Sequence, residues 1–443
     1  MRTLFITSFH PLISRNIIAT NIPGLLVQAG WRVVVLVPNY KKEYFESLYG
    51  SENILIEGIE TGPSIRTRRV GMFKRLAEAT PNTKRAAIGR KRTLSGALKT
   101  PLHYYFFYIP AGFFGKFLWF HWSVRALDFL ISPRGRFSDV LKKYNPELIF
   151  ATDVQNEHDV SLLQEARRAK IKILGMVRSW DNLTTRAFRI VPDHLLVHNE
   201  IIRDEAVTLY GIKKEKITVV GIPHYDKYLT RKPTEKKVFF HLIGADIKKP
   251  LILYIPLCDY RLKENSVDRY VMEMLGGLNA NIVVRFPPAE TVNIAGYTKT
   301  DNVFFDRPGH VFEMSRVGDR DLTREDDDRY MDLLSHASVV VGGPSTFAID
   351  AALFDKPILL VDFYPKEVSE EEKIYEYGAE HFMHILDTQG VYRAKTKEDF
   401  LKHMEMYLKN SSLDHAGRIR IVSEQCWNSD GKSSDRVAQS VLK

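Results

Sequence analysis

Unbroken apolar runs, each only five or six residues long or a little more, recur along this chain and are separated by longer amphipathic stretches. Thr3–Thr7, Trp31–Pro38, Leu148–Thr152, Lys172–Val177 and His194–His198 are such runs, rich in β-branched residues. Runs this short, without internal polar alternation, predict strands buried on both faces of a parallel sheet. Between the first two, Ile17–Gln28 has helical spacing and ends at Gly30. Lys216–His224 closes the series. It then restarts with Leu251–Ile255, Ile282–Arg285, Ser338–Gly342 and Ile358–Asp362. The polar segment 229–237 between the two series reads as a linker. This strand and helix order predicts an α/β fold of two Rossmann-like domains facing each other across a cleft. The expected boundaries are 1–228 and 237–430, with a last helical stretch at 431–443 packing back on the first domain.

Composition changes the picture at one place. The 443 residues, 44% hydrophobic and 26% charged, suit a soluble two-domain protein, and two cysteines fit a reducing compartment. The N-terminal apolar run is too short for a secretory signal, so a cytoplasmic location is expected. The alternation pauses at about 64–132. Between Arg66 and Arg92 ten Lys or Arg stand against one acid, Glu78, and this alone accounts for the net charge of +9. An aromatic run, Leu102–Trp122, follows and is broken by Pro110, Gly112, Gly115 and Lys116. Basic residues beside Trp, Tyr and Phe suit an anionic membrane surface, contacted from the inner face of the cell membrane. The plainer alternative is a solvated basic loop followed by a buried helix pair. Nucleic acid is not expected as a partner, because no reader motif accompanies the patch.

Ligands of open α/β sheets bind beyond the carboxyl ends of the strands, so the residues there are the candidates. Gly342-Gly-Pro-Ser-Thr346 turns from a strand into a helix, where unpaired N–H groups and the helix dipole favour an anion. Gly343, Ser345 and Thr346 would meet a diphosphate, and Asp350 a ribose. The segment through Lys356-Pro357 resembles the donor motif of GT-B glycosyltransferases, especially the branch similar to CDP-glycerol glycerophosphotransferases and UDP-sugar 2-epimerases. Gly343 stands where that branch has an acid. Tyr254-Ile-Pro256 to Arg261 is similar to the branch's Tyr-x-Pro-x-x-Arg turn, and Arg285-Phe-Pro287 to its Arg-x-Pro element. Either arginine would neutralise the leaving nucleotide; a purely structural role is the alternative. Phe305–Pro308 is expected at the next strand end. Gly221-Ile-Pro223-His-Tyr-Asp226 is similar to the branch's Gly-x-Pro-x-x-Asp element, read as a turn beside the donor or as a plain hinge.

In the first domain, Asp181 beside Trp180 is the first candidate for the base that deprotonates an acceptor hydroxyl, with a helix cap as its alternative role. His10 is second, and the resemblance places a functional His in this early loop. Asp153 is third. Asp326-Asp-Asp328 reads as a solvated loop. No metal site, structural or catalytic, and no cofactor is expected, only a nucleotide-activated donor. The expected function is a metal-independent, inverting glycosyl transfer from a nucleotide-sugar donor to a lipid-linked or polymeric glycan acceptor, in cell-surface polysaccharide synthesis. Alternatives are a CDP-glycerol- or ribitol-type phosphotransferase, a UDP-sugar 2-epimerase, and a non-catalytic membrane scaffold.

Overall fold

Side-chain alternation builds the first sheet. In strand β1 (Arg2–Thr7), Leu4 and Ile6 enter one hydrophobic core and Phe5 the other. In β2 (Trp31–Pro38), Val33, Val35 and Val37 divide from Val34 and Leu36 in the same way. Burial on both faces is why these strands read as continuous apolar runs. The sheet continues with β3 (Ile54–Ile59), β4 (Leu148–Ala151), β5 (Lys172–Met176), β6 (His194–Val197) and β7 (Ile217–Val219), all parallel, in the order β3-β2-β1-β4-β5-β6-β7. The computed structural model describes residues 1–62, 68–95, 101–259, 266–288, 290–312, 320–369 and 372–442.

The chain divides into two compact units, Met1–Leu229 with Trp427–Lys443, and Thr230–Cys426. The helix Ser433–Leu442 belongs to the first, sending Val437, Ala438 and Val441 into the core that holds Ile22 and Leu26. Its N-terminus is held by Asp226, whose carboxylate accepts from the N–H groups of Ser433 at 2.9 Å and Ser434 at 2.7 Å.

The second unit has its own parallel sheet. β8 (Leu251–Ile255), β9 (Asn281–Arg285) and β10 (Val303–Asp306) precede a two-stranded ribbon, β11 (His310–Val311) with β12 (Arg320–Asp321). β13 (Val339–Gly342), β14 (Ile358–Val361) and β15 (Tyr392–Ala394) complete the order β10-β9-β8-β13-β14-β15. Each sheet reverses its direction of growth once, between β1 and β4 in the first unit and between β8 and β13 in the second.

Three expectations change. The helix expected over Ile17–Gln28 begins at Ile22, with Pro23 in its first turn, and a π-helical segment, Ser14–Ile18, precedes it. Proline has no N–H to donate and is tolerated only at a helix start. β3 was not expected; as an edge strand it is only half buried, so Glu57 and Gly58 interrupt its apolar pattern. Asp326–Asp328 is the first turn of helix Arg324–His336 rather than a loop. Thr323 and Asp326 form a capping box, and the Asp326 carboxylate also accepts from Gly309 N at 2.9 Å.

Candidate functional site

The reversal point of a doubly wound sheet leaves a crevice at the strand carboxyl ends, because neighbouring connections depart to opposite faces. In the first unit His10 follows β1, Asp153 follows β4 and Asp181 follows β5. These three sequence candidates share one electrostatic neighbourhood. Burial pushes the His10 imidazole down from 6.5 to about 4, helped by Arg178 and Lys41 and opposed by Asp153 and Asp181. At neutral pH the ring is uncharged. Its Nδ1 accepts from Leu12 N at 3.2 Å, so its single proton sits on Nε2. Asp153 is buried and receives Arg178 Nη1 at 2.5 Å. Asp181 occupies the N-cap position of the short helix Asn182–Thr185 but makes no cap hydrogen bond through its side chain.

Behind this cluster lies a carboxyl that no sequence motif marked. Asp159, fully buried, accepts from the Thr7 hydroxyl, and burial beside Asp153 raises its pKa well above the ordinary carboxylate value. Thr7 in turn holds Thr152, whose N–H donates to Thr7 Oγ1 at 3.0 Å, so the ends of β1 and β4 are tied together at the reversal point.

In the second unit the corresponding positions are the turns after β8 and β13. The first is pinned by a residue the sequence reading missed. Asp268, wholly buried at the start of helix Val267–Gly276, accepts from Tyr254 Oη at 2.5 Å, Leu257 N at 2.7 Å and Cys258 N at 3.1 Å. Its only sequence signal was an acid in the first turn of an amphipathic helix. Cys258 is held at φ 74°, a left-handed conformation that costs a non-glycine residue of order 1 kcal/mol. Tyr254 is therefore a structural anchor, while Pro256 shapes the turn; Arg261 lies outside the described residues.

After β13, Gly342 and Gly343 allow close packing. A Cβ on Gly342 would meet the Phe347 ring at 2.6 Å, and one on Gly343 would meet Leu257 Cδ2 at 2.9 Å. Leu257 thus takes the space of an acidic side chain at 343. Ser345 is half-buried and Thr346 exposed just before helix Phe347–Leu353. Asp350 is buried, accepting from Tyr330 Oη at 3.0 Å. Arg285 forms a buried ion pair with Asp306, donates to Asp326 O at 3.0 Å and lies 4.7 Å from the Tyr330 ring centroid. Pro287 is half-buried beyond it. The exposed cation at these strand ends is Arg307, stacked 3.8 Å over Phe286 and without a carboxylate partner among the described residues. Lys356 is half-buried and donates to Ser335 O at 2.8 Å, a structural use of the Lys-Pro pair.

Gly221 adopts φ 84°, and the space of its missing side chain is filled by Ser433. With Asp226 it clasps the C-terminal helix to the first unit, and Pro223 is buried in the turn between them.

The insertion is helical: Arg68–Ala79, Lys84–Ser95, Ile109–Phe114 and Leu118–Ile131, with a π-helical turn Tyr104–Tyr108. Arg66 and the side chains of Arg68 and Arg69 lie outside the described residues. Its aromatic part is not buried: Phe106 is 79% exposed, Trp119 53% and Trp122 57%. Among the described residues no helix is long and apolar enough to cross a membrane.

The family model described as CDP-glycerol:poly(glycerophosphate) glycerophosphotransferase matches residues 170–443, more than half of the chain. No curated protein sequence matches significantly. Among solved structures, a putative UDP-N-acetylglucosamine 2-epimerase from Listeria monocytogenes is similar at TM-score 0.56 and 11% identity, over 99% of this chain and 95% of that one. The Neisseria meningitidis UDP-GlcNAc 2-epimerase bound to UDP-GlcNAc gives 0.55 and 10%, over 100% of both chains. A sucrose-phosphate synthase from Thermosynechococcus elongatus gives 0.52 and 13%, over 100% and 99%. These likenesses establish the fold, the two-domain GT-B arrangement of parallel sheets.

Proposed function

Since the chain belongs to the CDP-glycerol:poly(glycerophosphate) glycerophosphotransferase family, we propose that it transfers a phosphopolyol unit from a cytidine diphosphate-linked donor to a hydroxyl of a lipid-linked or polymeric acceptor. The observation that carries this reading is the extent of the family match, which takes in the whole second unit with its turn Gly342–Thr346 at the sheet reversal. The acceptor oxygen attacks the phosphorus bearing the polyol. A new O–P bond forms, the bridging P–O bond breaks, and the nucleoside monophosphate leaves with the electron pair.

Asp181 takes the acceptor proton. Asp153 is committed to Arg178, and His10, protonated on Nε2, would have to give up its Leu12 bond to accept a proton on Nδ1. His10 instead donates from Nε2 to the bound substrate. Ser345, Thr346 and the backbone of their turn hold the diphosphate. Arg307, rather than the already paired Arg285, faces the leaving charge. The exposed aromatic helices set the enzyme against an anionic membrane where the acceptor is anchored.

A second reading, inverting glycosyl transfer from a nucleotide-sugar, is favoured by Gly343, which replaces the acid of the phosphotransferase branch. Thermal-shift measurements with CDP, CMP, UDP, GDP and dTDP, with and without EDTA, separate the two. A bound nucleotide stabilises the native state by mass action. Phosphopolyol transfer predicts a CDP or CMP shift that survives the chelator and is reduced in Ser345→Ala/Thr346→Ala. A UDP or GDP preference selects the glycosyl reading, and no shift with any nucleotide refutes both. A shift lost with EDTA would refute metal independence.

A further inference from the structure

On the first unit, a cavity of about 310 Å³ opens between the insertion helix Arg68–Ala79, the segment after β3 and the start of helix Glu157–Arg168. This volume lies at the small end of ligand sites. Three cations line it, Lys74, Arg75 and Arg136, together with two acids, Glu78 and Glu157. Charge does not balance. Glu78 is paired with Arg186 at 3.1 Å and Glu157 with Arg189 at 2.7 Å, and neither arginine lines the cavity. Among the described residues Lys74, Arg75 and Arg136 have no carboxylate partner. Three positive charges are thus left facing one small space.

The hydrogen-bonding capacity is unspent as well. Arg136 donates to Glu60 O at 2.8 Å and to His158 Nδ1 at 2.7 Å, but its buried Nε has no partner. Glu157 Oε1 is likewise buried and unpartnered. An unmade bond at a buried polar atom is costly, but these two atoms, though they belong to residues that line the cavity, are themselves closed to solvent, so it is the charge of the lining that defines the ligand. The counter-ligand must supply an anion for the cations.

We propose that this cavity binds a phosphate-bearing unit, such as a polyol phosphate, of the acceptor chain, at a subsite separate from the His10–Asp181 cluster. The assignment of the ligand to an acceptor rests on the transferase reading; the phosphate site itself rests on the cavity alone.

The test is isothermal titration of the full chain with sn-glycerol 3-phosphate, inorganic phosphate and glycerol. Glycerol 3-phosphate and inorganic phosphate should both bind more tightly than glycerol, and Lys74→Gln/Arg75→Gln should weaken both about tenfold or more, as expected for two lost charge-assisted bonds. Neither side chain is ion-paired, so this variant should keep the wild-type melting temperature. Arg136→Lys, which keeps the charge but loses the fork, should weaken binding less. No saturable binding to the wild type, or equal affinity in the double variant, would overturn the site. Vesicles of phosphatidylcholine with phosphatidylglycerol identify the source of the phosphate. Unchanged vesicle binding by the double variant supports an acceptor chain, whereas its loss would transfer the site to a lipid headgroup and overturn the acceptor assignment. Glycerol 3-phosphate binding without any nucleotide response would defeat the transferase reading and leave the phosphate site standing.

Discussion

The two units share a parallel, doubly wound sheet, yet they treat their reversal points in opposite ways. In the second unit the polar groups there are tied down: Asp268 fastens the turn after β8, Asp306 holds Arg285, and Tyr330 holds Asp350. In the first unit they are under electrostatic tension, with a neutral His10 between cations, Asp153 against Arg178, and a raised Asp159 behind them. Titratable groups displaced by burial and by neighbouring charge are what proton transfer needs, whereas a satisfied network gives a rigid cradle. On the proposed reading, one topology serves reaction in one unit and grip in the other.

The strongest way to break that comparison is Asp181→Asn. If the first unit is the reactive one, transfer should fall by about 10²- to 10⁴-fold, the range for loss of a general base. Nucleotide affinity, which the proposal assigns to the second unit, should stay near the wild-type value. Full turnover by the variant would remove Asp181 from proton transfer, and loss of nucleotide binding would show that the division of labour is wrong.

Acid should also separate the units. Burial pushes His198 from 6.5 to about 4, as it does His10, and it also lowers His224, helped by Arg15 and His198. Between pH 6.5 and 4 the unfolded chain binds protons that the folded unit refuses, so stability falls as pH drops through this window. Each histidine at about 4 is worth on the order of 3 kcal/mol. Asp159, raised, acts with the opposite sign, losing stability as pH rises through its folded value, so the slope is less than the histidines alone would give. The second unit carries Asp332, lowered by Arg231 and Thr234 against its burial, and Asp355, lowered by His415 and Arg418 against its own. These lose their contribution only as pH falls below the ordinary carboxylate range. Hydrogen exchange followed from pH 7 to 4 should show the first unit loosening before the second, and His198→Gln should flatten its pH slope by about one proton. Simultaneous loosening, or an unchanged slope, would erase the distinction.

What was legible in the sequence follows from the same contrast. Fully buried parallel strands such as β2 and β8 write their limits directly as apolar runs, whereas β3 and β15, at sheet edges, do not. The candidate positions were legible because open α/β sheets bind ligands beyond their strand ends, and His10, Asp153 and Asp181 do follow β1, β4 and β5. Their partners were not: nothing near Tyr254 announces Asp268, and nothing near Arg285 announces Asp306, because such pairings join residues distant in sequence. Asp350 read as a ribose ligand from helical spacing, but spacing gives a face and not what covers it; here Tyr330 does. The Gly221–Asp226 element was visible as a turn, while its grip on Ser433 and Ser434 depends on a helix some two hundred residues away.

The most delicate test concerns the cradle itself. Asp268 receives two hydrogen bonds at Oδ1 and one at Oδ2, all inside the protein. Asp268→Asn, with its amide oxygen toward Tyr254 and Leu257, keeps two of these hydrogen bonds and presents a donor to the third N–H. It should cost about 1–2 kcal/mol, and Asp268→Ala, which strands all three donors, about 3 kcal/mol. The loss should appear in the denaturant midpoint of the second unit. Nucleotide affinity should fall with it, because Leu257, in the turn Asp268 holds, packs against Gly343. A graded loss of both would join rigidity to grip at this reversal point. Destabilisation with unchanged affinity would mean that the turn after β13 holds its ligand without support from its neighbour, and the second unit would then be a looser cradle than its bonding implies.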